Sequence, residues 1–352
     1  MPATICMFSK RGATNDDSSN LIDAVGNTPL IYLRSLSEAT GCKIYGKAEW
    51  LNPSGSIKDR AAKQMILEAE QSGALKRGGT IVEATGGNTG LALAALGATM
   101  GYKVIVTMPN CIAEEKIALT RRFGAEVLLQ PLVPFGHPEN FASKAEALGQ
   151  SLPNAVFTNQ FENMANFRAH FTGTGAEIWK QTNGKVDAFV CACGTGGTLA
   201  GVSAFLKQAS GGRVQCYLVD PHGSVLYQYV TKQLLETTPE PCSQIEGIGI
   251  GRITGNFKAA KIDGAMQCCD AEAVDMIFYL MKHEGISLGP SAALNLCGAV
   301  KVARKLSPGS CVVTVLCDAG DRYATKIFNP AWLTQYGLTP TDRGRGDLSF
   351  VK

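Results

Sequence analysis

"DAFVCACGTGGTLAG", residues 187–201, runs six apolar residues straight into a glycine- and threonine-rich turn, beyond which an apolar helical pattern begins. An unbroken apolar run, rather than an alternating one, is what a strand covered on both faces requires. The helix that follows at once supplies one of those covers. The same order recurs in "TIVEAT" (80–85), "KVIVTM" (103–108), "EVLLQ" (126–130), "AVFTNQ" (155–160), "VQCYLVD" (214–220) and "CVVTVLCD" (311–318), each followed by an amphipathic or capped segment. The expected class is α/β, with mostly parallel sheet flanked by helices.

The chain has 352 residues, 45% of them hydrophobic, which is enough for two domains of ordinary size or one large one. A formal charge of +3 and the lack of any long basic run argue against nucleic acid as a partner. No uninterrupted apolar run reaches the roughly eighteen residues of a membrane span. The first nineteen residues lack the basic start and apolar stretch of a signal peptide, so a cytoplasmic protein is expected. Lys10, Arg11 and nearby hydroxyl residues leave an organelle-transit reading open, against which Asp16 and Asp17 argue.

Twelve cysteines are scattered, several of them inside strand-like runs: Cys191, Cys193, Cys216, Cys311 and Cys317. They read as buried reduced thiols. The pairs Cys191 with Cys193 and Cys268 with Cys269 lack zinc-site spacing, so no metal is expected. The four histidines, His137, His170, His222 and His283, are assigned no catalytic part.

Ligands of open α/β sheets gather where strands end and helices begin, because helix N-termini offer free N–H groups. Three such corners are rich in small residues: "EATGGNTG" (83–90), "CGTGGTLAG" (193–201) and "EGIGIG" (246–251). Gly194, Thr195, Gly196, Gly197 and Thr198 form the second and suit a phosphate, with glycines for close approach and hydroxyls as added donors. Gly194, Gly196 and Gly201 with Asp220 also resemble a dinucleotide fingerprint, but the third glycine is out of place. Helix signals include a Ser56 and Asp59 capping pair ahead of "IKDRAAKQMILEAEQ", closed by Gly73, and an Asn88 cap on "TGLALAALGATM".

Lys58 separates the two cofactor readings. A lysine in the first turn of a helix opposes the macrodipole, and Pro53, Ser54, Gly55 and Ser56 prepare its position. A neutral amine that attacks a carbonyl is the chemistry this placement suits. A solvated lysine remains the plain alternative.

Taken together, "NPSGSIKDRAA", "GGNTG", "GTGGTLAG", "EGIGIG", "EGISLGPSAA" and "LCDAGDRY", in this order, resemble the cysteine synthase and cystathionine β-synthase family over residues 22 to 330. The resemblance implies a fold type II pyridoxal 5'-phosphate enzyme, similar to the tryptophan synthase β chain, with two domains. These are a large cofactor-anchoring domain (20–52 and 164–330) and a smaller mobile domain (53–163), with an arm (1–19) and a tail (331–352). By resemblance Lys58 carries the cofactor as a Schiff base, residues 194–198 hold its phosphate, Asn88 its ring oxygen, and Ser291 faces the ring nitrogen. Thr85, Gly86, Gly87, Thr89 and Gln160, with Gly247, would take the substrate.

The implied reaction is β-substitution on O-acetylserine, or on O-phosphoserine, with sulfide through an α-aminoacrylate, giving L-cysteine. A homodimer is implied, with serine acetyltransferase as a candidate partner. The sequence departs from the family pattern at Gly86, which stands for a serine, at Ala84, at Ala319 and in "MPNCIAEEKIA" (108–118), and this places it on a cysteine-synthase-like side branch. Arg252 has two readings, as a group for a phosphorylated or acidic substrate or as a salt-bridged or solvent-facing arginine. The residues after 330 are too few for a regulatory module, and Cys6 without a histidine gives a haem extension little support. The rivals are cystathionine β-synthase-like or eliminating chemistry on serine or cysteine, a dehydratase disfavoured by Thr195 and Thr89, and a catalytically weak sulfur-metabolite sensor suggested by Gly86.

Overall fold

The computed structural model describes residues 20–237 and 242–352. The arm 1–19 with Cys6, and the middle of the 236–244 loop, lie outside the described residues. Among the described residues ten strands occur in chain order: β1 (Leu30–Tyr32), β2 (Lys43–Ala48), β3 (Thr80–Ala84), β4 (Lys103–Pro109), β5 (Glu126–Gln130), β6 (Ala155–Phe157), β7 (Ala188–Cys191), β8 (Gln215–Pro221), β9 (Gly264–Cys268) and β10 (Cys311–Leu316). They form a six-stranded sheet, β1-β2-β10-β7-β8-β9, and a four-stranded sheet, β5-β4-β3-β6. Every pairing is parallel except that of β1 with β2.

The apolar runs form strands here because both of their faces are buried. In β7, Ala188 and Val190 enter one core and Phe189 and Cys191 the other. In β10, Val312 and Leu316 face the first core while Val313 and Val315 face the second. Each fully buried aliphatic side chain contributes about 1.5–3 kcal/mol relative to exposure. The four-stranded sheet repeats this arrangement, with Ile81 and Val106 on one face and Val82 and Ala84 on the other.

Three strands escaped the sequence reading. β2 contains Gly46 and Lys47, neither of which reads as buried strand. A Cβ on Gly46 would overlap the Leu316 side chain of β10, and the fully buried Lys47 Nζ bonds Glu177 Oε2 at 2.6 Å. β1 is three residues long, and β9 ("GAMQC") is equally short of the apolar pattern.

Both expected helix caps differ in the structure. The Lys58–Gln71 helix has no side-chain cap: Asp59 turns back to accept from the Ser54 N–H at 2.6 Å and from the Ser54 hydroxyl, while Ser56 Oγ accepts from the Lys58 N–H at 3.2 Å. Asn88 is not a cap but the first residue of the Asn88–Met100 helix, and its side chain turns to the opposite sheet. Residues outside the strands, near either limit of the described region, also pack into the cores. Ile22 and Val25 join the core of the four-stranded sheet, and Leu348, Phe350 and Val351 join that of the six-stranded one. Among the described residues no helix is long and apolar enough to cross a membrane.

Arg60 ties the Lys58 helix to the larger sheet. Its Nε donates to Glu49 Oε2 and its Nη1 to Glu177 Oε1, both at 2.7 Å, with the Arg60 side chain 4% exposed. Burial alone would raise the Glu177 carboxyl, but Arg60 and Lys47 hold it at about 2. This stabilisation is complete above the ordinary carboxylate range near pH 4.5 and is lost as pH falls toward 2. Arg60→Leu, which leaves the buried Glu49 without a cation and Glu177 with Lys47 alone, should cost about 3–5 kcal/mol in urea unfolding and flatten the stability change between those pH values.

Candidate active site

Parallel strands of both sheets direct their carboxyl ends into one cavity of about 680 Å³, a size suited to a small molecule. Its walls bring together Lys58, Thr85, Gly86, Gly87, Asn88, Thr89, Gln160, Gly194, Thr195, Gly196, Thr198, Gly247 and Ser291. Of the cofactor and substrate residues expected from the resemblance, Gly197 alone stands behind the wall. A Cβ there would overlap the Asn166 side chain, whose Nδ2 donates to Thr195 Oγ1 at 2.9 Å.

Lys58 opens its helix directly above the end of β10, where the Ile57 N–H donates to the Cys317 carbonyl at 2.9 Å. Gly55, at φ +82°, gives the preceding turn its shape. Among the described residues Lys58 Nζ has no hydrogen bond or ion pair.

Two sets of backbone donors flank this amine. After β3, the N–H groups of Gly86, Asn88 and Thr89 meet no acceptor among the described residues. Thr89 Oγ1 donates to Gln160 Oε1 at 2.6 Å, and Gln160 Nε2 donates to the Ala84 carbonyl at 3.0 Å, which locks the loop. Beneath it lies the fully buried Glu83, accepting from Thr158 Oγ1 at 2.7 Å and the Gln160 N–H at 3.1 Å; burial pushes its carboxyl up to about 7. After β7, the N–H groups of residues 194–198 are likewise without acceptors. Gly196, at φ +93°, packs so closely on Phe257 that a Cβ would stand 2.6 Å from the Phe257 nitrogen.

Gly86, where a serine was the family expectation, faces Ile112: a Cβ would stand 2.5 Å from Ile112 Cδ1. The side chain thus missing is replaced by an isoleucine methyl from the turn after β4. Arg252 is engaged. Its Nη1 bonds Glu162 Oε1 at 2.5 Å and its guanidinium lies over Phe135, 4.4 Å from the ring centroid, which matches the salt-bridged reading. Lys116 reaches Glu246 from the other side of the cavity, and Lys326 bonds the same carboxylate.

Sequence reasoning missed the residues behind the wall. His170, 1% exposed, places Nε2 3.2 Å from Thr198 Oγ1 and Nδ1 2.9 Å from Thr174 Oγ1. Burial first, then the positive charges of Arg60 and Lys58, hold its imidazole well below the usual range, so it is neutral. It begins a wide π-type turn, His170–Gly175, whose only signal in the sequence is the pair Gly173 and Gly175 interrupting a helical pattern. Asp318 and Arg322 hold Asn88, and neither shows any periodic signal.

Residues 21–318 match the family described as "Pyridoxal-phosphate dependent enzyme". The chain is 46% identical to a cysteine synthase of Dictyostelium discoideum, over 95% of this chain and 90% of that one. It is 51% identical to cysteine synthase 1 of Emericella nidulans, over 91% and 87%. Among solved structures, the O-acetylserine dependent cystathionine beta-synthase of Helicobacter pylori superposes with a TM-score of 0.79 at 32% identity, covering 88% of this chain and 98% of that one. An O-ureido-L-serine synthase does so at 0.79 and 31%, covering 89% and 98%.

Burial pushes the Cys317 thiol up to about 12 and Cys191 well above its ordinary value, although both line the cavity. Cys111 and Cys242 are exposed. Of the described thiols, iodoacetamide at pH 7.5 should therefore modify these two in the native protein and spare Cys191, Cys193 and Cys317, as read by peptide mass spectrometry.

Proposed function

Because the chain belongs to the pyridoxal-phosphate dependent enzymes, we propose that it is a cysteine synthase, exchanging the β-substituent of O-acetylserine, or secondarily O-phosphoserine, for sulfide to give L-cysteine. One observation carries the reading: a lysine amine without a partner among the described residues lines one cavity with two sets of helix N-terminal donors that meet no acceptor there.

The residues fit pyridoxal phosphate. The donor set at 194–198, where glycines admit close approach, suits its phosphate, and Lys58 Nζ suits its carbonyl carbon as covalent anchor. Asn88 offers an amide to the ring oxygen and Ser291, 7% exposed, a hydroxyl to the ring nitrogen. When bound, the cofactor supplies the electron sink that lets a Cα proton leave and a Cβ–O bond break.

The chain's own groups then do the rest. The substrate carboxylate sits on the N–H groups of Gly86, Asn88 and Thr89, while the Thr89 hydroxyl stays on Gln160, and this presents Cα to Lys58. Lys58 Nζ removes the Cα proton, acetate departs from Cβ, sulfide adds there, and Lys58 Nζ returns the proton to Cα. Ser291 cannot carry the full negative charge of an aspartate, which favours β-substitution over transamination. Closure of the 53–163 unit over the larger one keeps water out while Cβ is reactive. The same reading carries a cytoplasmic homodimer that docks serine acetyltransferase, testable by sedimentation and co-sedimentation. The Helicobacter pylori relative favours a second reading, in which a larger thiol replaces sulfide as nucleophile.

The purified protein should show a visible band near ~410 nm that shifts on O-acetylserine and returns on sulfide, with ping-pong kinetics. Lys58→Ala should abolish both the shift and turnover; full cysteine formation by that variant would overturn the mechanism. Gly197→Ala, which displaces Asn166 from Thr195, should weaken cofactor binding about tenfold in an equilibrium absorbance titration.

A further inference from the structure

Asn88 lines the cavity, but both ends of its amide are already committed behind it. Nδ2 donates to Asp318 Oδ2 at 2.7 Å, and Oδ1 accepts from Arg322 Nη1 at 2.6 Å. Asp318, at the end of β10, accepts only; the guanidinium donates only. A flipped amide would set oxygen against carboxylate and NH2 against cation, so this pair fixes its orientation. One N–H of Nδ2 is left over for the cavity.

The clamp is anchored at both ends. Asp318 Oδ2 also accepts from the Tyr323 hydroxyl at 2.8 Å, and Asp318 is fully buried. Arg322 Nη2 donates to the Ser54 carbonyl, in the turn that leads to Lys58. Gly55 makes room for it, since a Cβ there would stand 2.5 Å from Arg322 Nη2. Arg322 therefore bonds both the asparagine amide and the turn that sets Lys58, although neither Arg322 nor Asp318 lines the cavity.

We propose that Arg322 and Asp318 are positioning residues for the reaction: together they fix the Asn88 amide as a donor into the cavity and set its spacing from Lys58. The proposal rests on the cofactor reading above and adds two residues to it. Arg322→Lys keeps the charge but loses the fork, and Asp318→Asn keeps the shape but accepts and donates alike, so both should fold.

The test compares these variants with the wild-type holoenzyme by visible absorbance and circular dichroism, cofactor titration, and steady-state kinetics. Each should fold, show a displaced visible band, and lose about tenfold or more in kcat with KM little changed, as misplacement of a reacting group predicts. In an Asn88→Ala background, Asp318→Asn should add little further. Wild-type band position and kcat in both variants would overturn the proposal. So would variants that lose only thermal stability, because that is the mark of a merely structural role. A wild-type protein with no visible band after cofactor is added back would remove the premise, and that failure shows before any variant is made.

Discussion

A helix leaves its first N–H groups without partners inside itself, and this chain brings two such helix starts to one cavity, with a lysine amine between them. Everything around the site serves that placement. Parallel strands of the two sheets bring both starts to the cavity, glycines let the turns pack closely, and buried side chains hold the turns from behind. Asn166 holds Thr195, Gln160 holds Thr89, and His170 contacts Thr198. The donors that face the cavity are mostly backbone, so their position depends on packing at a second layer.

That second layer is heavily charged and buried. Arg60 joins the Lys58 helix to Glu49 and Glu177, while Arg322 joins the Lys58 turn to Asn88. Breaking either leaves buried carboxylates or carbonyls unmatched, which costs far more than a surface ion pair would contribute. The thiols lining the cavity play a different part. Their burial favours the neutral form, so Cys191 and Cys317 behave as small apolar wall residues in a site that handles sulfur nucleophiles.

Seven of the ten strands were legible because burial on both faces writes itself as an unbroken apolar run, as in "DAFVCAC" and "CVVTVLCD". β2 was not, since a glycine that admits Leu316 and a lysine matched by Glu177 look polar or flexible until their neighbours are known. The cavity residues were legible as glycine-rich corners after strands, helped by the family resemblance. The roles of His170, Asp318 and Arg322 were not, although the last two fall within the quoted "LCDAGDRY", because their partners are 28, 230 and 234 residues away in sequence. Spacing arguments cannot reach so far. The Ser56 and Asp59 pattern misled for a related reason: Ser54, one turn earlier, offers Asp59 two donors where a capping box offers one.

The order β1-β2-β10-β7-β8-β9 places the last strand of the chain between β2, near its beginning, and β7, near its middle. During synthesis the larger sheet therefore exists only as two unjoined pieces, each with a bare hydrogen-bonding edge, until residues 311–316 leave the ribosome. The four-stranded sheet, whose strands all lie between residues 80 and 157, can close long before. A truncated chain lacking β10 would keep the second anion-binding turn but lose the strand whose end supports Lys58. The lysine thus takes its working position only once β10 has been made and paired, and a nascent chain without it carries no assembled site to be loaded too early.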